Sequence, residues 1–395
     1  MIRKSWLVFL SMFLVLAFFG CGKEPIKIGF VGPLTGDYAN YGKLMTQAVK
    51  IAIEEKNNAG GIDGNMIKLI AEDSEGKVDK GNSAIEKLAS IDKIYGLVGA
   101  VFSGTSLAIA PKCEREKIVM ISPSATHKAL TGKGKYIFRN VLSDELQAIV
   151  FAQYVYNVMK VKNVAILYLK NDYSQGLAGD FSKEFKRLGG RITITESGLQ
   201  GDKDFKTQLT KIKSTNSEAL FLPNYVADIA QTLEQAKQLG LRLKILSSDG
   251  FSNPEIFELA GDLANGVTFS GPPKESEGTE NDLRKQFEVK YQDEWGEKPD
   301  SFSLNAYDGA NILINAIEKC YNETSDEDKK ILNFDREKIQ KYVASTSNYA
   351  GVSGKITFLE NGDASKNVGI SIAEKKQYKQ LGVYKLEKGR LKKVK

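Results

Sequence analysis

Two kinds of hydrophobic spacing alternate along the chain from residue 26 onward. In "IKIGF" (26–30) apolar residues alternate with polar or small ones, as in a β-strand, whereas the apolar positions of residues 44–52 recur at helical spacing. The alternation continues through the strand-like runs "MIKLIAED", "YGLVGAV" and "KIVMISPS", with predicted helices over 78–90 and 105–116. The first part of the chain therefore predicts repeated βα units.

The pattern restarts after residue 145 and predicts a second set of βα units. Helical patterns cover 146–159, 175–188, 204–213 and 226–239, and they separate the strand-like runs "NVAILYLKND", "RITITES", "EALFLPN" and "KILSSDG". Repeated βα alternation predicts parallel sheets covered by helices on both faces. We therefore expect an α/β fold with two doubly wound parallel-sheet lobes, which also suits a chain of 395 residues.

The last third of the chain has a different pattern. Two long helices are predicted over 280–295 and 303–319, followed by the charged stretch "NETSDEDKK" and the strand-like runs "GKITF" and "NVGISIAE". We expect these elements to return to the first two lobes and complete them. The basic end "LKKVK" is predicted to be a solvated tail.

The N-terminus has the pattern of an export signal. Arg3 and Lys4 precede an almost wholly apolar stretch, 6–19, which is short for a membrane span and typical of a signal peptide. The stretch ends at Gly20 and Cys21 and resembles a bacterial lipobox, in which the cysteine is lipidated. We expect a signal peptide over 1–20 and a lipidated tether over 21–25. An ordinary signal peptide and a single transmembrane anchor are the alternatives.

Composition narrows the classes of function. Hydrophobic residues make up 42% of the chain and charged residues 26%, as in ordinary globular proteins. The net charge of +6 is spread along the chain without a basic stripe, so we expect no nucleic-acid partner. His127 is the sole histidine and no CxxC is present, so we expect no metal, no cofactor and no catalytic triad. Pairing of Cys113 with Cys320 stays open.

Polar and aromatic residues follow the predicted strands at the point where each strand ends. Because open α/β sheets bind ligands beyond the carboxyl ends of their strands, these residues are expected to converge on one cleft if the two lobes face each other. Taken singly, each also fits a helix cap, a turn or loop packing. The set comprises Tyr41, Ser103, Gly104, Thr105, Ser124, Thr126, Tyr173, Tyr225 and Asp249.

Six stretches, in this order, resemble the type I periplasmic solute-binding proteins of bacterial ABC importers, in their branched-chain amino-acid branch. They are "IKIGFVGPLTGDYANYG", "NNAGGIDG", "GAVFSGTS", "MISPSATHKALT", "NDYSQGLAGDF" and "NAYDGANIL". The resemblance spans about residues 23–351. It implies a three-stranded hinge, with crossings near 140–144, 269–273 and 349–355. It also implies a first lobe over 26–141 and 272–350, and a second lobe over 142–271 and 351–395.

The resemblance also implies roles for individual residues. Ser103 matches a carboxylate-binding serine, Thr126 matches a threonine that holds the ligand's amino-acid head, and Ser124 matches a small residue beside that head. Three tyrosines match aromatic wall positions: Tyr41, Tyr173 and Tyr225. Asp249 stands where the amino-acid binders have an acidic residue, usually glutamate, so its shorter reach is a departure from the family.

These residue types suit the two charged groups of a free amino acid. Backbone N–H groups near Gly104 and Thr105, at a helix start, favour an anion, and the Ser103 and Thr126 hydroxyls add donors. An ammonium group is expected to pair with Asp249 and to tolerate tyrosine faces. Phe102, together with Tyr41, is expected to form an apolar wall for the ligand's side chain.

The sequence therefore predicts an extracytoplasmic, lipid-anchored binding protein without catalytic activity. We expect a monomer in the periplasm or at the cell surface, which captures a small branched-chain or aliphatic amino acid between two closing lobes and delivers it to an ABC permease. The alternatives are the same fold binding an amide, urea or an aromatic acid, a ligand sensor coupled to a membrane receptor, and an exported enzyme. The enzyme is disfavoured because the sequence has no GxSxG and no HExxH motif.

Overall fold

The computed structural model describes residues 23–273 and 282–394, and Cys21 lies outside them. The first sheet has the strand order β2-β1-β3-β4-β5, with every neighbouring pair parallel. Strands β3 and β4 are buried along their whole length because helices cover both faces of the sheet. The strands are β1 (Ile26–Gly32), β2 (Ile67–Asp73), β3 (Gly96–Gly99), β4 (Val119–Ser122) and β5 (Ile137–Arg139).

The second sheet has the strand order β15-β14-β13-β10-β9-β8-β6-β7. Its β7-β6-β8-β9-β10 part is parallel, and β13, β14 and β15 extend it as an antiparallel meander. A short hairpin, β11 with β12, stands apart from both sheets. The strands are β6 (Asn163–Leu169), β7 (Arg191–Gly198), β8 (Ala219–Leu222), β9 (Lys244–Ser247), β10 (Thr268–Gly271), β11 (Tyr349–Gly351), β12 (Gly354–Ile356), β13 (Val368–Glu374), β14 (Gln377–Glu387) and β15 (Arg390–Lys393).

Helices flank both sheets. The α-helices are α1 (Ala39–Asn58), α2 (Val78–Lys87), α3 (Ser103–Arg115), α4 (Asp144–Asn157), α5 (Asp172–Arg187), α6 (Lys206–Lys213), α7 (Val226–Gln238), α8 (Ile256–Leu259), α9 (Asp282–Trp295), α10 (Ser301–Asn322), α11 (Asp326–Lys330) and α12 (Arg336–Ala344). Single turns of other helix types lie at Leu88–Asp92, Thr131–Lys133, Asp249–Ser252 and Gly261–Ala264. Here "first lobe" means the first sheet with α1–α3 and α9–α12, and "second lobe" means the second sheet with α4–α8.

The predicted fold class, α/β with two doubly wound lobes, is confirmed. The sequence missed the meander, since β14 was not predicted and the basic end was taken for a solvated tail. In the structure, residues 391–393 of that end, together with Arg390, form the edge strand β15, and Arg390 pairs with Glu387 of β14. A Lys388–Gly389 turn with positive φ at both residues joins the two strands.

The chain crosses between the lobes at 140–143, at 272 onward and after Ala364. The third crossing lies later than the predicted 349–355, which instead form the β11–β12 hairpin. Residues up to 364 stay with the first sheet, because Arg139 Nε donates to Asp363 Oδ1 over 2.6 Å and Phe138 packs on Phe358 with ring centroids 5.2 Å apart. The sequence had assigned everything from residue 351 onward to the second lobe, and the structure differs for 351–364.

Cys113 and Cys320, whose pairing was left open, are both free and buried. Burial raises the pKa of the Cys113 thiol to about 12, so it stays protonated at neutral pH. Within 23–273 and 282–394, no helix has the length and the apolar character that crossing a membrane requires.

Candidate functional site

A cleft lies between the lobes, beyond the carboxyl ends of strands from both sheets, and it narrows to a cavity of about 20 Å³. Its wall contains seven of the predicted site residues, so the structure brings most of that set together. The sequence did not single out Val101, Gly250 or Phe302. The lining residues are Tyr41, Val101, Phe102, Ser103, Ser124, Tyr173, Tyr225, Asp249, Gly250 and Phe302.

Aromatic rings fill most of the cleft and connect the two lobes. Phe102 of the first lobe stacks on Tyr225 of the second lobe, with centroids 4.2 Å apart and planes within 14°. Tyr225 stacks in turn on Tyr173, at 5.0 Å and 14°. Tyr41 meets both Phe102 and Tyr225 edge to face. A ligand bound between the lobes would therefore be enclosed by aromatic faces and edges.

The start of α3 forms the first-lobe side of the cleft. The helix begins at Ser103, two residues earlier than predicted, so Ser103, Gly104 and Thr105 form its first turn, whose N–H groups have no partner within the helix. Ser103 Oγ accepts a hydrogen bond from His127 N over 3.3 Å. Gly104 and Thr105 are not part of the cavity wall, and a Cβ at Gly104 would lie 3.0 Å from Asp172 Oδ2 of the second lobe.

Ser124 and Thr126 follow β4, but only Ser124 reaches the cavity. Ser124 Oγ donates to Val101 O over 2.7 Å. Thr126 is completely buried behind the wall, where its carbonyl accepts from Asp144 N and from Arg139 Nη1. Its hydroxyl has no hydrogen-bond partner among the described residues. Thr126, which was predicted to hold the ligand's amino-acid head, therefore lies one layer behind the cavity in this structure.

Asp249 lies on the second-lobe side of the cleft and is 2% exposed. Its Oδ1 accepts from Gln147 Nε2 and from the Tyr173 hydroxyl, both over 2.8 Å. The Tyr173 hydroxyl also accepts from Gly250 N over 2.8 Å, which fixes its orientation toward the carboxylate. Burial raises the pKa of Asp249 to about 6, and the bonds from Gln147 and Tyr173 oppose the rise. A cation placed beside Asp249 would favour its charged form.

Two polar residues behind Asp249 were not predicted as site residues from the sequence. Asp144 and Gln147 lie in the first two turns of α4, directly after the first crossing, and both are buried. Burial, together with the nearby charge of Asp249, raises the pKa of Asp144 well above its ordinary value, although the adjacent Thr126 side chain opposes the rise. Neither Asp144 carboxylate oxygen has a hydrogen-bond partner in the described chain. The sequence does contain a signal for these two site residues, because an acid and an amide are spaced i, i+3 at the start of the apolar helix "LQAIVFAQYV".

Hydrogen bonds join the lobes around the rim of the cleft. The Tyr41 hydroxyl donates to Gly250 O over 2.5 Å and accepts from Val226 N over 3.1 Å. The Tyr38 hydroxyl donates to Asp228 Oδ2 over 3.0 Å, outside the cavity wall. Two further contacts would have to break before the lobes could separate, because Asn40 Nδ2 donates to Asn253 Oδ1 and Lys203 pairs with Asp37.

The arrangement of these residues suits ligand binding better than catalysis. Within the described residues, no group of three or more His, Cys, Asp or Glu side chains is placed to hold a metal ion. The cleft offers helix N–H groups and hydroxyls on the first lobe, an acidic side chain on the second lobe and aromatic faces between them. Such a set recognises a small molecule that carries an anionic group, a cationic group and an apolar part.

Comparison with known proteins agrees with this architecture. A family profile described as periplasmic binding protein matches residues 25–377, which extends past the residue 351 at which the sequence resemblance ended. The chain is 29% identical to the leucine-, isoleucine-, valine-, threonine- and alanine-binding protein of Pseudomonas aeruginosa over 91% of this chain and 92% of that protein. It is 30% identical to Leu/Ile/Val-binding protein homolog 3 of Brucella melitensis over 77% and 82%.

Solved structures show the same likeness. The leucine binding protein LivK of Thermotoga maritima superposes with a TM-score of 0.82 at 30% identity, covering 91% of this chain and 98% of that one. The branched-chain amino-acid substrate binding protein LivJ of Streptococcus pneumoniae, solved with isoleucine, gives 0.81 at 26% identity over 94% and 100%. This chain therefore belongs to the type I periplasmic binding proteins of the branched-chain amino-acid family, a family of extracytoplasmic substrate-binding proteins.

Proposed function

We propose that this protein binds a small aliphatic amino acid between its lobes and delivers it to an ABC importer, without catalysing a reaction. The observation that carries the proposal is the buried Asp249 carboxylate, which faces the aromatic cavity opposite the start of α3. The ligand's ammonium pairs with Asp249, its carboxylate lies toward Ser103 and the first turn of α3, and its side chain packs on the aromatic rings.

The shape of the cavity supports a small ligand and requires some movement to admit it. Its 20 Å³ is far below the roughly 300–1,000 Å³ of ordinary ligand pockets, so the rings of Phe102 and Tyr225 must separate before an amino acid can enter. Opening of the lobes supplies this movement, because these two rings belong to different lobes. Closure around the ligand then lets both lobes contact it at once.

The decisive experiment compares ligands with and without an ammonium group. Asp249→Asn keeps the size and one acceptor oxygen but removes the charge. We expect L-leucine binding to weaken by about 2–5 kcal/mol, because one partner of a buried charge pair is lost. Binding of 4-methylpentanoate, the deaminated analogue, should weaken far less. Titration calorimetry measures both, with Asp293→Asn, an exposed residue of α9, as the control.

Two results would contradict the proposal. Equal weakening of both ligands would mean that Asp249 supports the fold of the site rather than reading the ammonium, and unchanged binding of both would place the ligand elsewhere. Asp249→Glu restores the side-chain length usual in the family. Retained leucine binding in that variant would show that the pocket accepts either reach, since the charge is conserved.

Lipid anchoring through Cys21 is part of the same proposal and rests on sequence alone. The residue follows an apolar stretch and Gly20, in the pattern of a lipobox. Cys21→Ala should abolish metabolic labelling by a fatty acid in the native host and release the protein from the membrane fraction. Labelling that persists in this variant would exclude Cys21 as the acylated residue. Cys113→Ala is the matched control, since Cys113 is buried.

A further inference from the structure

A second cavity, of about 630 Å³, lies at the hinge and shares no lining residue with the cleft. All three crossings between the lobes contribute to its wall: residues 141–142 from the first, 272–273 from the second and 365–367 from the third. Any molecule held there contacts the segments that must bend when the lobes move. The cavity is therefore placed to sense the angle between the lobes.

The charged side chains that line this hinge cavity are all basic among the described residues. Lys355 of β12, Lys366 of the third crossing and Lys385 of β14 all line it, and no acidic side chain does so among the described residues. Arg284 of α9 also lines it, but its guanidinium is paired with Glu288. None of the three lysines has a carboxylate within 4 Å in that part of the chain, whereas Lys43, Lys56 and many other surface lysines do. A wall that carries these ammonium groups without described carboxylates has a positive potential, which an anion in the cavity would neutralise.

Lys366 is the most enclosed of the three. Its Nζ donates to Ser353 Oγ over 3.1 Å, and burial lowers the pKa of this lysine to about 8, although the more distant Asp308 opposes the change. Asp308 is itself occupied, because its two carboxylate oxygens accept from the backbone N–H groups of Val352 and Ser353. A buried ammonium that is satisfied only by a hydroxyl leaves donor capacity for a ligand.

Neutral donors complete the wall. Ser301, at the start of α10, has a buried hydroxyl without a partner among the described residues. Thr357, Ser365 and Asn367 add hydroxyl and amide groups. Since buried polar atoms are nearly always hydrogen-bonded, the unpartnered Ser301 hydroxyl is a second sign, independent of charge, that this wall faces a polar ligand or water.

One helix connects the hinge cavity to the cleft. Phe302 of α10 lines the cleft, while its neighbours Ser301, Leu304 and Asn305 line the hinge cavity. Asn305 also donates to Pro123 O over 3.1 Å, next to the cleft residue Ser124, and accepts through its carbonyl from Asn140 Nδ2 of the first crossing. A shift of the α10 start therefore changes both sites together.

We propose that the hinge cavity binds a small anion with two or more negative charges, of the diphosphate or polycarboxylate class, and that this anion favours the closed lobes. We expect the anion to favour the closed lobes, because rotation that opens the cleft on one side of the hinge compresses the opposite side, where the anion lies. Anion binding is independent of the proposed function, whereas its effect on amino-acid affinity rests on that function.

The first test uses pyrophosphate without any amino acid. Titration calorimetry at constant ionic strength should show one site, and Lys355→Gln and Lys385→Gln should each weaken it by about fivefold, as expected for exposed charge pairs. Both lysines are exposed, so these variants should fold normally. Lys366→Gln should weaken binding by about tenfold or more. Lys206→Gln, which removes an exposed charge of α6 far from the hinge, is the control.

Absence of pyrophosphate binding by the unaltered protein would overturn the proposal. Equal weakening in all variants, Lys206→Gln included, would do the same, because it would show only long-range attraction. The second test is leucine affinity with and without saturating pyrophosphate. We expect at least threefold tighter leucine binding with the anion, lost in a Lys355→Gln/Lys385→Gln variant. Unchanged or weaker leucine binding would refute the coupling, and failure of leucine to bind at all would count against the proposed function instead.

Discussion

Asp144 and Asp249 illustrate how the same residue type is tuned differently by its neighbours. Both are almost completely buried, yet Asp249 receives hydrogen bonds from Gln147 and Tyr173 while the Asp144 oxygens receive none from the described residues. The hydrogen bonds favour the charged form of Asp249. At Asp144 burial dominates and the nearby charge of Asp249 adds to it, although the Thr126 side chain and Arg139 oppose the rise in pKa. The raised pKa means that Asp144 favours its neutral form, whereas Asp249, with hydrogen bonds to its carboxylate, is the better placed of the two to carry the negative charge of the site.

Asp144→Asn should accordingly stabilise the ligand-free protein at neutral pH. Since the folded pKa of Asp144 is raised, the wild-type residue costs nothing below about pH 4, its unfolded value, and costs progressively more as the pH rises through its folded pKa. The melting temperature of Asp144→Asn should therefore exceed that of the wild type at pH 7, and the difference should vanish near pH 4. Thermal unfolding across this range, with Asp293→Asn as the surface control, measures the effect. A difference that is constant with pH would contradict it.

At the scale of elements, the loops after the strands hold the two lobes together. The turn before α1 brings Tyr38 to Asp228 of α7, and Asn40 of α1 reaches Asn253 beyond the Asp249–Ser252 turn. These contacts join lobes whose cores are otherwise built from separate sheets. Individually each bond is worth little, but they form only when the cleft is shut, so they add to the affinity for any ligand that requires closure.

Tyr38→Phe isolates one such bond. The ring still packs on Phe102 and Tyr225, and Tyr38 is not in the cavity wall, so only the bond to Asp228 is lost. We expect leucine affinity to fall by about 1 kcal/mol, or roughly fivefold. Tyr136→Phe is the control, because the Tyr136 hydroxyl is buried in the first lobe without a partner among the described residues. Equal affinity of Tyr38→Phe and wild type in calorimetry would show that this bond does not help closure.

The elements also show what the sequence could and could not predict. The βα repeats could be predicted because each strand is a short apolar run and each helix keeps a 3.6-residue period. The strand ends located six residues of the cavity wall. The meander β13–β15 was harder, because β14 and β15 are partly exposed and rich in lysine. Thr126, Asp144 and the third crossing depend on how distant segments pack, which no local pattern encodes.

At the scale of the whole molecule, closing the cleft buries acidic groups. Asp228 and Asp249 are each 2% exposed, and burial raises the pKa of each to about 6. Hydrogen bonds from Gly201 N and the Tyr38 hydroxyl lower the pKa of Asp228, but not enough to cancel the effect of burial. In an open form both carboxylates would face water, where an aspartate has a pKa of about 3.9. Closure without a ligand is therefore linked to the uptake of protons.

This linkage predicts a pH-dependent shape for the ligand-free protein. Because the closed-state pKa values are raised, the closed form has its full advantage below about pH 4 and loses it as the pH rises through about 6. The radius of gyration from small-angle X-ray scattering should therefore be larger at pH 7.5 than at pH 5. Asp228→Asn, which cannot titrate, should reduce the difference, and Asp293→Asn should preserve it. With leucine bound the dependence should disappear, since the ammonium stabilises the charged Asp249 and holds the lobes closed at both pH values. A ligand-free radius that is the same at pH 5 and pH 7.5 would show that burial of these carboxylates does not govern closure.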